Sequence, residues 1–352
     1  MPRLPFRRWP DDAGDDLSPM QTRLMYADGY AGVESNPEKI RRARNEFDEH
    51  ITNQGDWSYA KAEDAAYANS FVGSGSGKLT LLSQYVEQFY PGCYPGASQV
   101  TGDCVAHSQK NADLASFIAE VVAGEVDPVS GLTEGAPEVS LQGIKSGVLS
   151  TIWPWWWRGY NSAGWQCYLA AKVSTQHGCM LCQDHGDDLD LTHYNGKLAA
   201  RYGRKSPPED FDEIGRQHLV RTAARAEGME QCRDLLKNGF AITSCGSESF
   251  SGMRDENGVS KRTRTGWSHA MAILGFDDRP EIRRKYGDPL ACFQNSWGVW
   301  NSGPRQVYGA NVEIPPGAFW ARWSDVKNRT MIAMSSVAGW PQRDLPDILE
   351  GW

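Results

Sequence analysis

Two short runs in the last third of the chain limit what it can fold into more than any other feature. The first is Gly266-Trp267-Ser268-His269-Ala270-Met271-Ala272-Ile273-Leu274-Gly275-Phe276 and the second is Cys292-Phe293-Gln294-Asn295-Ser296-Trp297-Gly298. Both read as buried strands punctuated by glycine, and they place Asn295 26 positions after His269. Cys104 lies well upstream, in Gly102-Asp103-Cys104-Val105-Ala106-His107-Ser108, ahead of a helix-like run from Gln109 to Val122. A thiol titrates near about 8.5, but an adjacent imidazolium and a helix N-terminus lower it by several units. If Cys104 opens a helix and His269 faces it, a thiolate-imidazolium pair is the expected resting state.

In this order the segments resemble the second half and the nucleophile of papain-like cysteine peptidases. The resemblance implies that Asn295 holds the His269 ring, that Trp297 keeps water from that bond, and that Cys104 attacks an acyl carbon to form a thioester. It covers the chain from about Ser76 to Ser335. The family places its His roughly 130 to 150 residues after the nucleophile, whereas His269 follows Cys104 by 165. The surplus falls in Ala123 to Ser140, an 18-residue stretch with Gly124, Pro128, Gly131, Gly135 and Pro137 that reads as an inserted loop. A second insertion, Asp277 to Leu290, lengthens the turn between the His strand and the Asn strand.

Two further segments fit. Gly159-Tyr160-Asn161-Ser162-Ala163-Gly164-Trp165 resembles the family loop whose backbone pairs with an extended substrate, which implies substrate contacts at Asn161, Ser162, Ala163, Gly164 and Trp297. Met229 to Phe250 resembles the short helix leading into the first barrel strand. The family's oxyanion donor is a Gln six positions before the nucleophile; here Ser98 stands there and Gln99 is five before. The resemblance makes Gln99 the candidate donor beside the backbone N–H of Cys104. Val105 stands where the family has Trp, and the two loop positions that are usually glycine are Ser162 and Ala163.

The 352 residues carry 36 basic and 44 acidic side chains, a net charge of −8 that argues against a polyanionic partner such as nucleic acid. No run approaches the 18 or so apolar residues of a membrane span. The basic start, Met1-Pro2-Arg3-Leu4-Pro5-Phe6-Arg7-Arg8-Trp9, lacks the apolar core of a secretory signal, so the expected location is cytoplasmic or packaged in a virion. The cysteines agree with that. Secreted family members bridge a cysteine three before the nucleophile to one in the substrate loop, and here those positions are Thr101 and Tyr160. Eight irregularly spaced cysteines then read as mostly buried free thiols in a reducing compartment.

Residues 1–75 read as an N-terminal arm ending in a Gly-Ser hinge. Ser70 to Gly77 is not a phosphate loop, since Val72 and Leu79 stand where Gly and Ser or Thr are required; a flexible linker is the expectation. The extension admits three roles: a cap over the cleft, an arm for a partner subunit, or a surface packing piece, with the arm favoured. His107 reads as a helix-surface residue. His177-Gly178-Cys179-Met180-Leu181-Cys182-Gln183-Asp184-His185 crowds four metal-type side chains into nine residues, which suits buried thiols and surface histidines better than a zinc site. The cluster Trp153-Pro154-Trp155-Trp156-Trp157 reads as lobe packing.

The expected fold is α+β and papain-like, with a helical lobe over about 76–215 and a β-barrel lobe over about 216–340. The expected function is a cysteine peptidase or related amide hydrolase acting through Cys104, His269, Asn295 and Gln99 on a peptide or protein, without metal or cofactor. The alternative is a catalytically weak papain-like component of a larger assembly such as a virus particle, attached through the N-terminal arm.

Overall fold

The computed structural model describes Val33 and residues 36–53, 71–96, 98–99, 101–124, 149–158, 164–186, 189–203, 207 and 210–335, with scattered positions from 340 to 349. Most of the N-terminal arm, most of the 123–140 insertion, and Asn161, Ser162 and Ala163 lie outside the described residues.

The first lobe is helical. Helix α1 (Pro37–Asn53) precedes a short strand, β1 (Leu79–Leu81), and helix α2 (Leu82–Phe89); then come α3 (Cys104–Val122), α4 (Ile152–Trp156), α5 (Cys167–Gln176), α6 (Gly196–Tyr202) and α7 (Asp210–Arg216). Helix α3 is buried on every side up to Val121. A helix so enclosed must satisfy its polar groups locally. Ser108 Oγ meets Thr243 Oγ1 at 2.6 Å, and Ser116 Oγ donates to the Met334 carbonyl at 3.0 Å while accepting from the Ala241 N–H. On another side Asp113 accepts from Ser174 Oγ at 2.7 Å, Gln109 Nε2 at 2.9 Å and the Cys179 thiol at 3.4 Å. Its serines thus tie α3 to the sheet, and its aspartate ties it to α5.

The second lobe holds β2 (Ala223–Arg225), α8 (Gly228–Lys237), β3 (Ile242–Arg254), β4 (Ser260–Asp277), α9 (Pro280–Tyr286), β5 (Leu290–Gln294), β6 (Ala318–Arg322), α10 (Trp323–Val326) and β7 (Thr330–Met334). The strands form one antiparallel sheet in the order β2-β7-β3-β4-β5-β6, with β1 added to the end of β4. This sheet is open, not the closed barrel expected. Among the described residues β2 and β6 are its two edges, and no ladder joins them. The insertion after β4 contains α9, with Pro280 at its first turn and Gly287 ending it at φ 71°.

The Gly-Ser run is docked, not a free hinge: the Gly73 and Gly75 N–H groups donate to the Asp234 carboxylate at 2.8 and 3.0 Å, and Gly77 donates to Asp278 at 3.0 Å. Gly75 is required there, because a Cβ would sit 2.9 Å from Arg233 Cγ. Arg233 pairs with both carboxylates and Arg283 with that of Asp278, so backbone donors and guanidinium groups share the charge of Asp234 and Asp278.

The thiols also depart from the expectation. Cys167 and Cys245 form a disulfide with a Cα separation of 6.1 Å, while Cys93, Cys104, Cys179, Cys182, Cys232 and Cys292 are free. The bridge joins the first residue of α5 to β3 and so staples the two lobes. The inference of a reducing compartment loses its support with it, because disulfides persist in oxidising surroundings. Closing a loop of 78 residues removes up to about 4 kcal/mol of unfolded-state entropy. Reducing this bond, or replacing Cys245 by Ser, is expected to lower Tm by roughly 5 °C in a thermal melt; an unchanged Tm would show that the two thiols do not bridge. No helix among the described residues is long and apolar enough to cross a membrane.

The tryptophan cluster packs within the helical lobe, and the tie between the lobes here is the Cys167–Cys245 bridge. Trp153 and Trp155 are fully buried, Trp155 sits edge-on to Trp165, and Trp156 stacks on Tyr202 with ring centres 4.2 Å apart.

Candidate active site

Cys104 is the first residue of α3, so its side chain sits at the end of a helix whose leading N–H groups lack intrahelical partners. The Ala270 and Val105 N–H groups lie close enough to its sulfur to favour the thiolate, which places the thiol beside β4 at the residue after His269. In the sheet, His269 pairs with Gly246 and Ala270 with Cys245, which sets the site one residue from the inter-lobe disulfide.

The His269 ring meets Asn295, with Nε2 2.7 Å from Oδ1. The same Oδ1 accepts the Ser296 N–H at 2.7 Å. A backbone N–H can only donate, so the atom it meets is the amide oxygen, and His269 Nε2 must carry the proton it shares with Asn295. That leaves Nδ1 as the unprotonated, basic nitrogen. Trp297 stacks on the imidazole at 4.3 Å, and Trp267 stands edge-on to both rings. Trp300 closes the group against Trp297 and Trp267. His269 is 3 % exposed and Cys104 is fully buried.

Burial dominates the electrostatics. It pushes the Cys104 thiol up to about 12, with the proximity of Asp103 adding to the rise; the Ala270 and Val105 N–H groups and the charge of Arg329 oppose it. Burial also pulls His269 down to about 3, against the Asn295 bond that favours the imidazolium; Arg329 lowers it further. Burial thus works against the thiolate-imidazolium pair expected, because both charged forms lose their hydration.

Gln99 is 2 % exposed and braces the turn before Cys104. Its Nε2 donates to the Thr101 carbonyl at 2.9 Å, its Oε1 accepts from Ser296 Oγ, and its N–H bonds to Ser296 O at 2.8 Å. One hydrogen of the amide is thereby used inside the turn. Gly164, expected to pair with a substrate backbone, is already paired: its N–H donates to Gly102 O at 3.1 Å and its carbonyl accepts from Arg158 at 3.0 Å. At φ 85° this glycine ties the loop to the Cys104 turn, and its main chain has no N–H left for a ligand.

His107 is buried, not on the helix surface. Its Nδ1 lies 3.3 Å from Thr151 Oγ1 and its ring packs edge-on to Tyr194, whose hydroxyl donates to Asp103 at 2.8 Å. Burial, then Lys110 and His269, hold His107 well below its usual range. In the His177–His185 segment each metal-type side chain is engaged elsewhere: His177 with Asp212, the Cys179 thiol with Asp113, the Cys182 thiol with the Leu149 carbonyl and His185 with the Leu181 carbonyl.

Three neighbours of the site had no sequence signal. Arg329 donates to the His269 carbonyl at 2.7 Å. Ser296 fixes both Asn295 and Gln99. Val33, from the N-terminal extension, forms a parallel bridge with Trp165 and accepts from Ser268 Oγ at 2.6 Å.

No protein-family model and no curated protein matches the sequence. Among solved structures the chain is similar to xylellain, a cysteine protease from Xylella fastidiosa, at 16 % identity over 73 % of this chain and 85 % of that one, with a TM-score of 0.45. It is similar to procathepsin B from Trypanosoma congolense at 10 % identity over 86 % and 98 %, with a TM-score of 0.42. It also resembles the cysteine protease and lectin-like domains of a surface layer associated protein of Clostridium difficile, at 18 % identity over 72 % of this chain with a TM-score of 0.40, and spans 50 % of that chain. On its own geometry, with a buried helix opening at Cys104 and an antiparallel sheet carrying His269 and then Asn295, the chain has a papain-like α+β fold.

Proposed function

We propose that this protein is a cysteine peptidase or related amide hydrolase in which Cys104 is the nucleophile, His269 the proton carrier and Asn295 the group that orients it. The observation that carries this reading is the His269–Asn295 bond. It commits Nε2 as donor and leaves Nδ1 to take the thiol proton, on a strand whose next residue lies close enough to the Cys104 sulfur for its N–H to favour the thiolate.

In this reading Nδ1 accepts the Cys104 proton as the sulfur attacks the acyl carbon of a peptide bond. The oxyanion that forms is met by the Cys104 backbone N–H and by the second hydrogen of the Gln99 amide. The intermediate collapses to a thioester as the His269 imidazolium returns its proton to the departing amine. Water activated by the same nitrogen then hydrolyses the thioester. Trp297 and Trp267 exclude solvent from the His269–Asn295 bond, and exclusion strengthens it. Asn161, Ser162 and Ala163 are proposed substrate contacts on the helical-lobe side.

The crossing at Val33 supports the cap among the roles considered for the N-terminal extension. Val33 touches Trp165 on one lobe and Ser268 on the other, on either side of a site in which the thiol is fully buried. Hydrolysis of fluorogenic peptide amides tests the reading: turnover is expected in the wild-type protein and is expected to vanish in Cys104→Ala. Equal turnover in the two proteins would overturn it.

A further inference from the structure

Arg329 reaches the site from outside the motifs that define it. It lies between α10 and β7, its side chain is completely buried, and its Nη1 stands 3.2 Å from Glu248 Oε2. The rest of the fork is spent on the sheet around His269. Nε donates to Ser244 Oγ at 2.8 Å, and Nη2 donates to the Ser244 carbonyl at 3.3 Å and to the His269 carbonyl at 2.7 Å. Ser244 on β3 and His269 on β4 are thereby joined through one cation.

A buried guanidinium costs several kcal/mol unless it is paired and its hydrogens are used. A purely structural pair needs only Glu248 and the β3 backbone. Here the remaining nitrogen holds the main chain of the residue that carries the imidazole. The charged and titratable groups around the site are Asp103 and His107 from the α3 side, His269 on β4, Glu248 on β3, and Arg329. Asp103 opposes a thiolate at Cys104 and Arg329 favours it, while Cys104 in turn helps keep Arg329 charged. Arg329 itself is pulled down by burial to about 10 and supported by Glu248, so it is a cation throughout the neutral range.

We propose, on the reading of Cys104 as the nucleophile, that Arg329 is a positioning residue of this site: it pins the His269 backbone and supplies a fixed positive charge, trimmed by Glu248, that favours the thiolate. The countercharge of the thiolate then comes in part from a guanidinium built into the sheet and not from the imidazolium alone. Removing Arg329 takes away an attraction for the thiolate. Removing the charge of Glu248 takes away a repulsion and frees more of the field of Arg329. The two changes therefore act in opposite directions.

The test is the pH profile of Cys104 alkylation by iodoacetamide, read by mass spectrometry on the full-length protein. Arg329→Gln is expected to move the midpoint up by about one pH unit, Glu248→Gln to move it down, and Arg329→Lys, which keeps the charge, to stay near wild type. Should Arg329→Gln fold poorly because it strands a buried carboxylate, the double variant Arg329→Gln with Glu248→Gln removes both charges, and its midpoint is expected above that of Glu248→Gln. A loss of packing alone would move the single variants the same way. Parallel shifts, or no shift while wild-type Cys104 still titrates, would overturn the role of Arg329 and leave the nucleophile assignment standing. A wild-type Cys104 that is never alkylated would overturn both.

Discussion

Deletion of residues 1–53 is expected to accelerate alkylation of Cys104 at least about tenfold and to raise peptide-amide turnover with it. The segment at Val33 bridges the two lobes beside a thiol with no exposure. On the cap reading a reagent reaches the sulfur in conformations where that crossing has lifted, and each 1.4 kcal/mol of holding energy lowers their population about tenfold. The hold is composite. Ser268 Oγ donates to the Val33 carbonyl, and behind it α1 is anchored to α5 by Phe47 against Tyr168 and by His50 Nε2 at 2.8 Å from Thr175 Oγ1. A single hydrogen bond is worth about 1 kcal/mol, so Ser268→Ala alone is expected to speed alkylation only a few-fold. Phe47 is nearly fully buried, so the truncated protein is expected to melt a few degrees lower but to keep its core. Unchanged alkylation after truncation would mean that the extension does not cover the site.

The parts of the site set by local sequence were legible, and those set by distant partners were not. A helix beginning at Cys104, the strands of His269 and Asn295, and α8 running into β3 each follow from continuous segments with their own turn signals. The His269–Asn295 contact followed from the resemblance because strand pairing sets the C-terminal end of β5 beside the middle of β4, with Gln294 opposite Ala272. The disulfide had no such signal: its cysteines are 78 residues apart and neither stands at a position the resemblance pairs. The Gly-Ser run looked like a linker because its partners, Asp234 and Asp278, lie 159 and more residues away. Arg329 reads locally as a surface residue after a short helix. It is the fold that buries it under His269.

The opposition of burial to charge at the site was not legible for a related reason. Residue types alone suggest a thiolate-imidazolium pair, but the degree of burial decides whether charge separation is favourable, and burial belongs to the tertiary structure. Burial favours Cys104 as a thiol. In the proposed mechanism it becomes reactive when His269 Nδ1 draws the proton off.

The central claim is that His269 activates Cys104. Removing a positioned general base costs roughly a hundredfold to ten-thousandfold, so His269→Ala is expected to abolish useful turnover. The direct measurement is iodoacetamide modification of the full-length protein at pH 7, followed site by site with mass spectrometry in wild type and in His269→Ala. Six free thiols compete: Cys93, Cys104, Cys179, Cys182, Cys232 and Cys292. Burial raises every one of them, Cys93 to about 11 and both Cys104 and Cys182 to about 12, so burial alone gives Cys104 no preference; in the proposed mechanism His269 supplies most of it, with Arg329 beside it. The account predicts that Cys104 is modified first in the wild type and at least about a hundredfold more slowly in His269→Ala. Modification of Cys182 or Cys93 ahead of Cys104, or an equal Cys104 rate in the two proteins, would contradict it.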